Sequence, residues 1–214
     1  MLFVRIVVGG TPSSGKSKVV LALAQSDGFG RLGVAKLDCV SSVDEKMFLD
    51  QDLVVKLLLA GRYCPDHLLM ESLPEIDEWA CDLDTLVIET AGLCGRCAPY
   101  LCNSVAICVI DCTAGSRTPY KLGPLLTDAD IVVLSKGDLV SQPEREIFAG
   151  AVRGKNPGAT LVWFNGLTGE GAWDLVKSVH GVIAGMPDGE QALKTPLPQL
   201  YCSYCLGKAE VGIY

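Results

Sequence analysis

The chain has 214 residues, 49% of them apolar, which suits one domain of ordinary size with a substantial core. Its formal net charge of −7 argues against a broad nucleic-acid or anionic-membrane surface. No apolar run reaches the roughly 18 residues of a membrane span. A strand pattern starts directly after Met1, so no signal peptide, no membrane and a cytoplasmic location are expected.

The first element is an apolar strand, Phe3 to Val8, running into Gly9-Gly10-Thr11-Pro12-Ser13-Ser14-Gly15-Lys16-Ser17-Lys18. A helical apolar pattern follows at Val19, Val20, Leu21 and Leu23. Strand, GxxxxGKS loop and helix together are the context a phosphate-binding loop needs. Gly10 and Gly15 let the backbone wrap a phosphate chain closely. The helix N-terminus aims N–H groups and a positive dipole end at the anion. Lys16 is placed to reach the β- and γ-phosphates, and the Ser17 hydroxyl to hold Mg²⁺. Gly10, Ser13, Ser14, Gly15, Lys16, Ser17 and Lys18 are therefore the candidate phosphate site, and a nucleoside triphosphate is the expected ligand.

Downstream, Arg31 to Leu37 reads as a short strand ending at Asp38, before a polar stretch, Cys39 to Glu45. The apolar spacing of Met47, Phe48, Leu53, Val54, Leu57 and Leu58 predicts a helix over 44–60, closed by Gly61 at C′. Cys64-Pro65-Asp66-His67 leads into a second helix, 66–80. Thr85 to Glu89 is a buried strand stopping at Thr90-Ala91-Gly92, followed by the cysteine-rich loop LCGRCAPYLC. Val105 to Asp111, Ile131 to Leu134 and Thr160 to Phe164 are further apolar strands, and a helix runs from about 171 to 184. Continuous apolar strands separated by helices predict an α/β fold of P-loop NTPase type, with a mostly parallel sheet and helices on both faces in three layers. From Pro187 the chain is richer in Pro, Gly and polar residues. The expected division is a P-loop domain over 1–186 and a C-terminal arm over 187–214.

Glu89 ends its strand with Gly92 three residues on, matching the acidic Mg²⁺ position and the γ-phosphate-sensing glycine of P-loop enzymes. Asp38 also ends a strand, where a carboxylate holds Mg²⁺ through water or orients the attacking water. Lys16, Asp38 and Glu89 are thus the candidate catalytic groups. Ser135-Lys136-Gly137-Asp138 resembles the guanine-reading NKxD of GTPases, with Ser in place of Asn. An Asp carboxylate accepts two hydrogen bonds from guanine N1 and N2 and meets no such donor pair on adenine, so Asp138 argues for GTP over ATP. Asn165-Gly166-Leu167-Thr168-Gly169-Glu170-Gly171 resembles the last base-contacting loop of the same enzymes.

The ordered series GTPSSGKS, Asp38 with Asp44-Glu45, AGRYCPDH, VIETAG, VIDCTAGSRTPYKLGPLLTDADIVVLSKGDL and NGLTGEG covers roughly residues 3–184. In that order it resembles the HypB/UreG group of nickel-insertion GTPases, within the dimeric P-loop class that also holds CobW-type and MeaB-type proteins. The resemblance implies slow GTP hydrolysis to GDP with Mg²⁺, a GTP-dependent face-to-face homodimer, and metal delivery to a client metalloenzyme. The chain departs from the group in having no histidine-rich nickel-storage run; His67 and His180 are its only histidines.

Ten cysteines remain to be placed. In a chain of this class disulfides are rare, so CxxC pairs read first as metal or redox sites. Cys108 and Cys112 lie in a strand pattern and read as small core residues. Cys39 and Cys81 carry no spacing signal and read as structural. Cys64 and His67 fall where the resemblance places a Cys-His metal motif, and thiolate plus imidazole suits Ni²⁺ or Zn²⁺. Two ligands do not close a site; a symmetric dimer would supply four. Cys94 and Cys97 directly follow Gly92, with Cys102 a further candidate ligand, and Cys202-Ser203-Tyr204-Cys205 makes a second CxxC. The two pairs could form Zn-Cys₄ or hold an iron–sulfur cluster. Two other readings stay open at this point: an iron–sulfur carrier of the P-loop class, favoured by Cys202 and Cys205 and opposed by Asp138, and a corrinoid-enzyme G-protein chaperone.

Overall fold

A computed structural model describes residues 3–61, 64–92, 97–186 and 192–195. Seven strands form one sheet: β1 Val4–Gly10, β2 Leu32–Asp38, β3 Val54–Leu59, β4 Thr85–Thr90, β5 Val105–Asp111, β6 Ile131–Ser135 and β7 Thr160–Phe164. Their order is β3-β2-β4-β1-β5-β6-β7, and every neighbouring pair is parallel. The helices are α1 Lys16–Ala24, α2 Asp44–Leu49, α3 Pro65–Trp79, the short α4 Thr118–Lys121 and α5 Pro124–Thr127, α6 Gln142–Lys155 and α7 Ala172–Ala184. Continuous apolar strands bury both faces of the sheet, as the pattern predicted. On one face Val8, Val34 and Val87 pack against Val20 of α1, Phe48 of α2 and Val179 of α7. On the other, Ala35, Ile88 and Val132 pack against Leu69 of α3 and Phe148 of α6. Ligands of open parallel sheets gather at the carboxyl ends of the strands. The ends of β1, β2 and β4, with the loops after them, therefore frame the site.

The helix expected over 44–60 is two elements. A six-residue helix, α2, ends at Leu49, and the chain turns through Asp50-Gln51-Asp52, with Asp52 in the left-handed region (φ 56°), into strand β3. Val54 and Val55 are β-branched and prefer a pleated surface. β3 pairs in parallel with β2 along its whole length, and that tertiary pairing overrides the helix-like apolar spacing. Gly61 follows a strand, then, and caps no helix. Cys112 lies just past β5, in a single 3-10 turn, and is buried like Cys108 within it. Residues 192–195 lie back near the amino ends of β5 and β6: Leu193 bridges Leu101, and Lys194 Nζ pairs with Asp130 at 2.6 Å.

Candidate nucleotide site

β1 delivers Gly10 to the loop with φ 147°, and a side chain there would meet the Val109 carbonyl of β5. Gly92, beyond β4, has φ 73°, and a Cβ on it would collide with the Gly10 carbonyl. The two glycines thus bring the phosphate loop and the end of β4 into backbone contact. The first N–H groups of α1 have no intrahelical acceptor and open toward the loop. Lys16 leads the helix, is buried, and donates from Nζ to the Thr11 carbonyl (2.9 Å) and the Ala91 carbonyl (3.2 Å). Burial pushes the Lys16 ammonium down, with nearby Glu89 opposing that shift.

Beside it lies a carboxylate cluster. Glu89, 1% exposed, accepts on Oε1 from the Ser17 hydroxyl (2.8 Å) and from Lys36 Nζ (2.6 Å). Lys36 also donates to Asp44 Oδ2 at 3.0 Å. Asp38 lies half-buried at the rim, its Oδ1 accepting from the Cys39 amide. Burial pulls the Lys36 ammonium down, yet Glu89 and Asp44 override it and leave its pKa raised. Burial pushes the Glu89 carboxyl up, with Lys36 and Lys16 pulling against it. Asp44 ends below the usual carboxylate range: its partial burial is outweighed by Lys36. A cavity of about 350 Å³ opens over Ser13, Lys16, Ser17, Lys36, Asp44 and Glu89, room for a phosphate chain. Ser17, Glu89 and Asp38 offer the hard oxygen donors that Mg²⁺ takes. Glu89 Oε2 is buried without a hydrogen-bond partner among the described residues, so the donor set fits such a cation.

A second cavity, about 240 Å³, adjoins the loop and is lined by Ser14, Lys18, Asp138, Phe164, Asn165 and Leu167. Ser135 ends β6 and donates from Oγ to the Ser14 carbonyl at 2.7 Å, tying the SKGD segment to the phosphate loop. Lys136, at φ 56°, donates to the Ser13 carbonyl (2.9 Å) and to Asp111 Oδ2 (2.6 Å). Partial burial pushes the Asp111 carboxyl up, but Lys136 and Thr113 outweigh it, and its pKa ends lowered. Asn165 Oδ1 accepts from the Leu167 and Thr168 amides and so shapes the loop carrying Gly166. Every described residue of the expected nucleotide set thus lines one of two adjoining cavities or braces the loops between them.

The profile of the CobW/HypB/UreG nucleotide-binding domain matches residues 4–162. The chain is a member of the CobW/HypB/UreG family. An uncharacterized protein of Methanocaldococcus jannaschii is 40% identical over 210 residues, covering 96% of this chain and 90% of its own. The urease accessory protein UreG of Haloquadratum walsbyi is 33% identical over 199 residues, covering 82% of this chain and 94% of its own. Among solved structures, HypB from Helicobacter pylori, in complex with nickel, superposes with TM-score 0.71 at 15% identity, covering 88% of this chain and 91% of that one. The hydrogenase maturation factor HypB of Archaeoglobus fulgidus gives TM-score 0.66 at 19% identity, covering 85% and 90%. These two likenesses show the fold. In this CobW/HypB/UreG-family member the parallel sheet and the glycine-rich loop are those of a P-loop nucleotide-binding domain.

The expected transition-metal residues are placed in part. Cys64 caps α3 and His67 sits in its first turn, both buried, with Cys64 Sγ 3.9 Å from Asp66 Oδ2. Cys97 is buried in the cluster that holds Leu69 and Met70 of α3. Cys94, Cys202 and Cys205 lie outside the described residues. Among the described residues, no three His, Cys, Asp or Glu side chains gather as a metal-holding group. Two residues of the site escaped the sequence reading. Lys36 is the lone charge in the buried run LGVAKL, ahead of the half-buried Asp38; a charge in a buried strand must be paired, and that rule would have flagged it. Asp111 ends β5 as Asp38 ends β2, and its partner Lys136 lies one sequence position past the next strand.

Proposed function

We propose that this protein binds and hydrolyses GTP and uses the cycle to deliver a transition metal to a client enzyme, as nickel-insertion proteins do. Carrying the reading is one observation: Asp138 lines the cavity that adjoins the phosphate loop, braced there by the Ser135–Ser14 hydrogen bond. Family membership supports the phosphate half, and the likeness to a urease accessory protein supports a client enzyme. In this reading Lys16 turns from the Thr11 and Ala91 carbonyls to the β- and γ-phosphates. Asp38 orients the attacking water and Gly92 reports the γ-phosphate to the loop after β4. Ser17 and Glu89, with Asp38, would hold Mg²⁺, which when bound neutralises charge on the phosphates. The metal cargo, Ni²⁺ or Zn²⁺, is substrate; Cys64, His67, Cys94 and Cys97 are its proposed ligands, completed across a GTP-dependent homodimer. The first test is titration calorimetry with GTP and ATP. GTP is expected to bind at least about tenfold more tightly, ~1.4 kcal/mol. Asp138→Asn is expected to erode that preference and admit xanthine nucleotides. Equal affinities for GTP and ATP would remove the guanine reading.

A further inference from the structure

Lys36 belongs to none of the phosphate-loop motifs, yet it occupies the centre of the carboxylate cluster. It rises from β2 at the register position opposite Glu89 of β4, and its side chain is 3% exposed. Its ammonium spans two carboxylates from different elements: Glu89 Oε1 at 2.6 Å and Asp44 Oδ2, from α2, at 3.0 Å. Glu89 Oε1 is the same atom that accepts the Ser17 hydroxyl, so Lys36 and Ser17 share one oxygen. Glu89 Oε2 is left buried and without a partner among the described residues.

A buried ammonium is costly to desolvate and is weak as a stabilising device, since apolar residues of similar volume often replace such pairs without loss. Its position therefore asks for another account. Asp38, Asp44 and Glu89 would give a strongly anionic pocket beside the phosphate loop, and such a pocket of hard oxygens attracts a divalent cation by itself. We propose that Lys36 is a positioning residue, a tethered cation that neutralises Glu89 and Asp44 and closes the cluster to free divalent metal, so that Mg²⁺ enters only with the nucleotide. The phosphates supply the missing negative charge and recruit the metal. By holding Asp44 to Glu89, Lys36 also fixes α2 against the sheet before the nucleotide arrives.

This inference rests on reading Ser17 and Glu89 as the groups that face the metal, and its test contains no nucleotide, so its outcome is independent of whether GTP is the ligand. Mn²⁺ takes the same hard oxygen donors as Mg²⁺ and is observed directly by electron paramagnetic resonance. Nucleotide-free wild-type protein, Lys36→Met and Lys36→Gln are titrated with Mn²⁺ after circular dichroism has confirmed folding. Wild type is expected to bind weakly and at least one neutral variant at least about tenfold more tightly. Adding Glu89→Gln to that variant is expected to abolish the gain, which places the new site at this cluster. A smaller gain than tenfold in every folded variant, or a gain that survives Glu89→Gln, overturns the proposal. So does tight Mn²⁺ binding by nucleotide-free wild type, which needs no variant at all.

Discussion

Gly92 shows how much one position decides. Its left-handed φ of 73° is costly for any side chain, and a Cβ would strike the Gly10 carbonyl of the phosphate loop. Gly92→Ala is expected to lower single-turnover phosphate release at least about tenfold, ~1.4 kcal/mol in the barrier. If Gly92 meets the γ-phosphate as proposed, binding of the diphosphate should change less. Wild-type turnover in Gly92→Ala would separate this glycine from the chemistry. The cysteines give a second test at this scale. Burial pushes the Cys108 thiol up to about 12, and burial, with Asp111 adding to it, does the same at Cys112. Cys81 and Cys102 are exposed. Iodoacetamide at pH 8 should therefore label Cys81 and Cys102 in the native protein and spare Cys108 and Cys112, read by peptide mass spectrometry. Labelling of Cys108 at a rate like that of Cys81 would contradict its burial. The candidate residues Lys16, Ser17, Glu89 and Asp138 could be picked out in the sequence by their spacing from glycines and strand ends, and they line two adjoining cavities. Lys36 could not, because its meaning comes from Glu89, 53 positions away, and from Asp44 on another element.

At the scale of elements, the strands β4 to β7 and the helices α1 and α7 were legible because one signal sufficed for each: a continuous apolar run, or a helical stripe after a glycine loop. The segment 44–60 failed because two elements share it. Its apolar spacing is helical in places, while its outcome is set by the free edge of β2, a partner invisible to local periodicity. α6 went unassigned although its start carries a capping box, with Ser141 and Glu144 bonded reciprocally. α2 is short, and isolated helices of that length are not stable in water. It is held by Phe48, wholly buried in the cluster beneath it, and by the Asp44–Lys36 ion pair. Phe48→Ala is expected to cost about 3 kcal/mol, the lower end for a buried Phe. Amide hydrogen exchange should show residues 44–49 opening first, since so few other contacts hold them. Uniform protection loss across the sheet, with 44–49 no worse than the rest, would mean that α2 is anchored by something other than Phe48.

At the scale of the whole molecule, the sheet's carboxyl ends bring the phosphate loop and Cys64, one of the proposed metal-binding cysteines, to the same end of the fold. Lys16 holds the Ala91 carbonyl at 3.2 Å, and Gly92 next to it lies against Gly10. Cys97 follows Ala91 by six positions and is buried in the same large apolar cluster as Leu69 and Met70 of α3, the helix whose N-cap position Cys64 holds. A γ-phosphate that draws Lys16 from Ala91 would act on the end of β4, from which the chain runs on to Cys97. If a metal is held at these thiols and they move with the end of β4, nucleotide state and metal affinity are coupled, and the coupling is reciprocal. Equilibrium binding of Ni²⁺ and of Zn²⁺ is expected to differ by about tenfold between the GDP form and the form with a non-hydrolysable GTP analogue, ~1.4 kcal/mol of coupling. Cys64→Ala and Cys97→Ala should each weaken binding and remove the difference. Light scattering in the same samples reports whether the change accompanies dimerisation, which would let two copies complete one site. Thiolates must shed protons to bind metal, so the affinity should also fall as pH drops below neutral. Metal affinities that ignore both the nucleotide and the two substitutions would confine the cysteines to packing and end the delivery reading, while leaving the nucleotide site untouched.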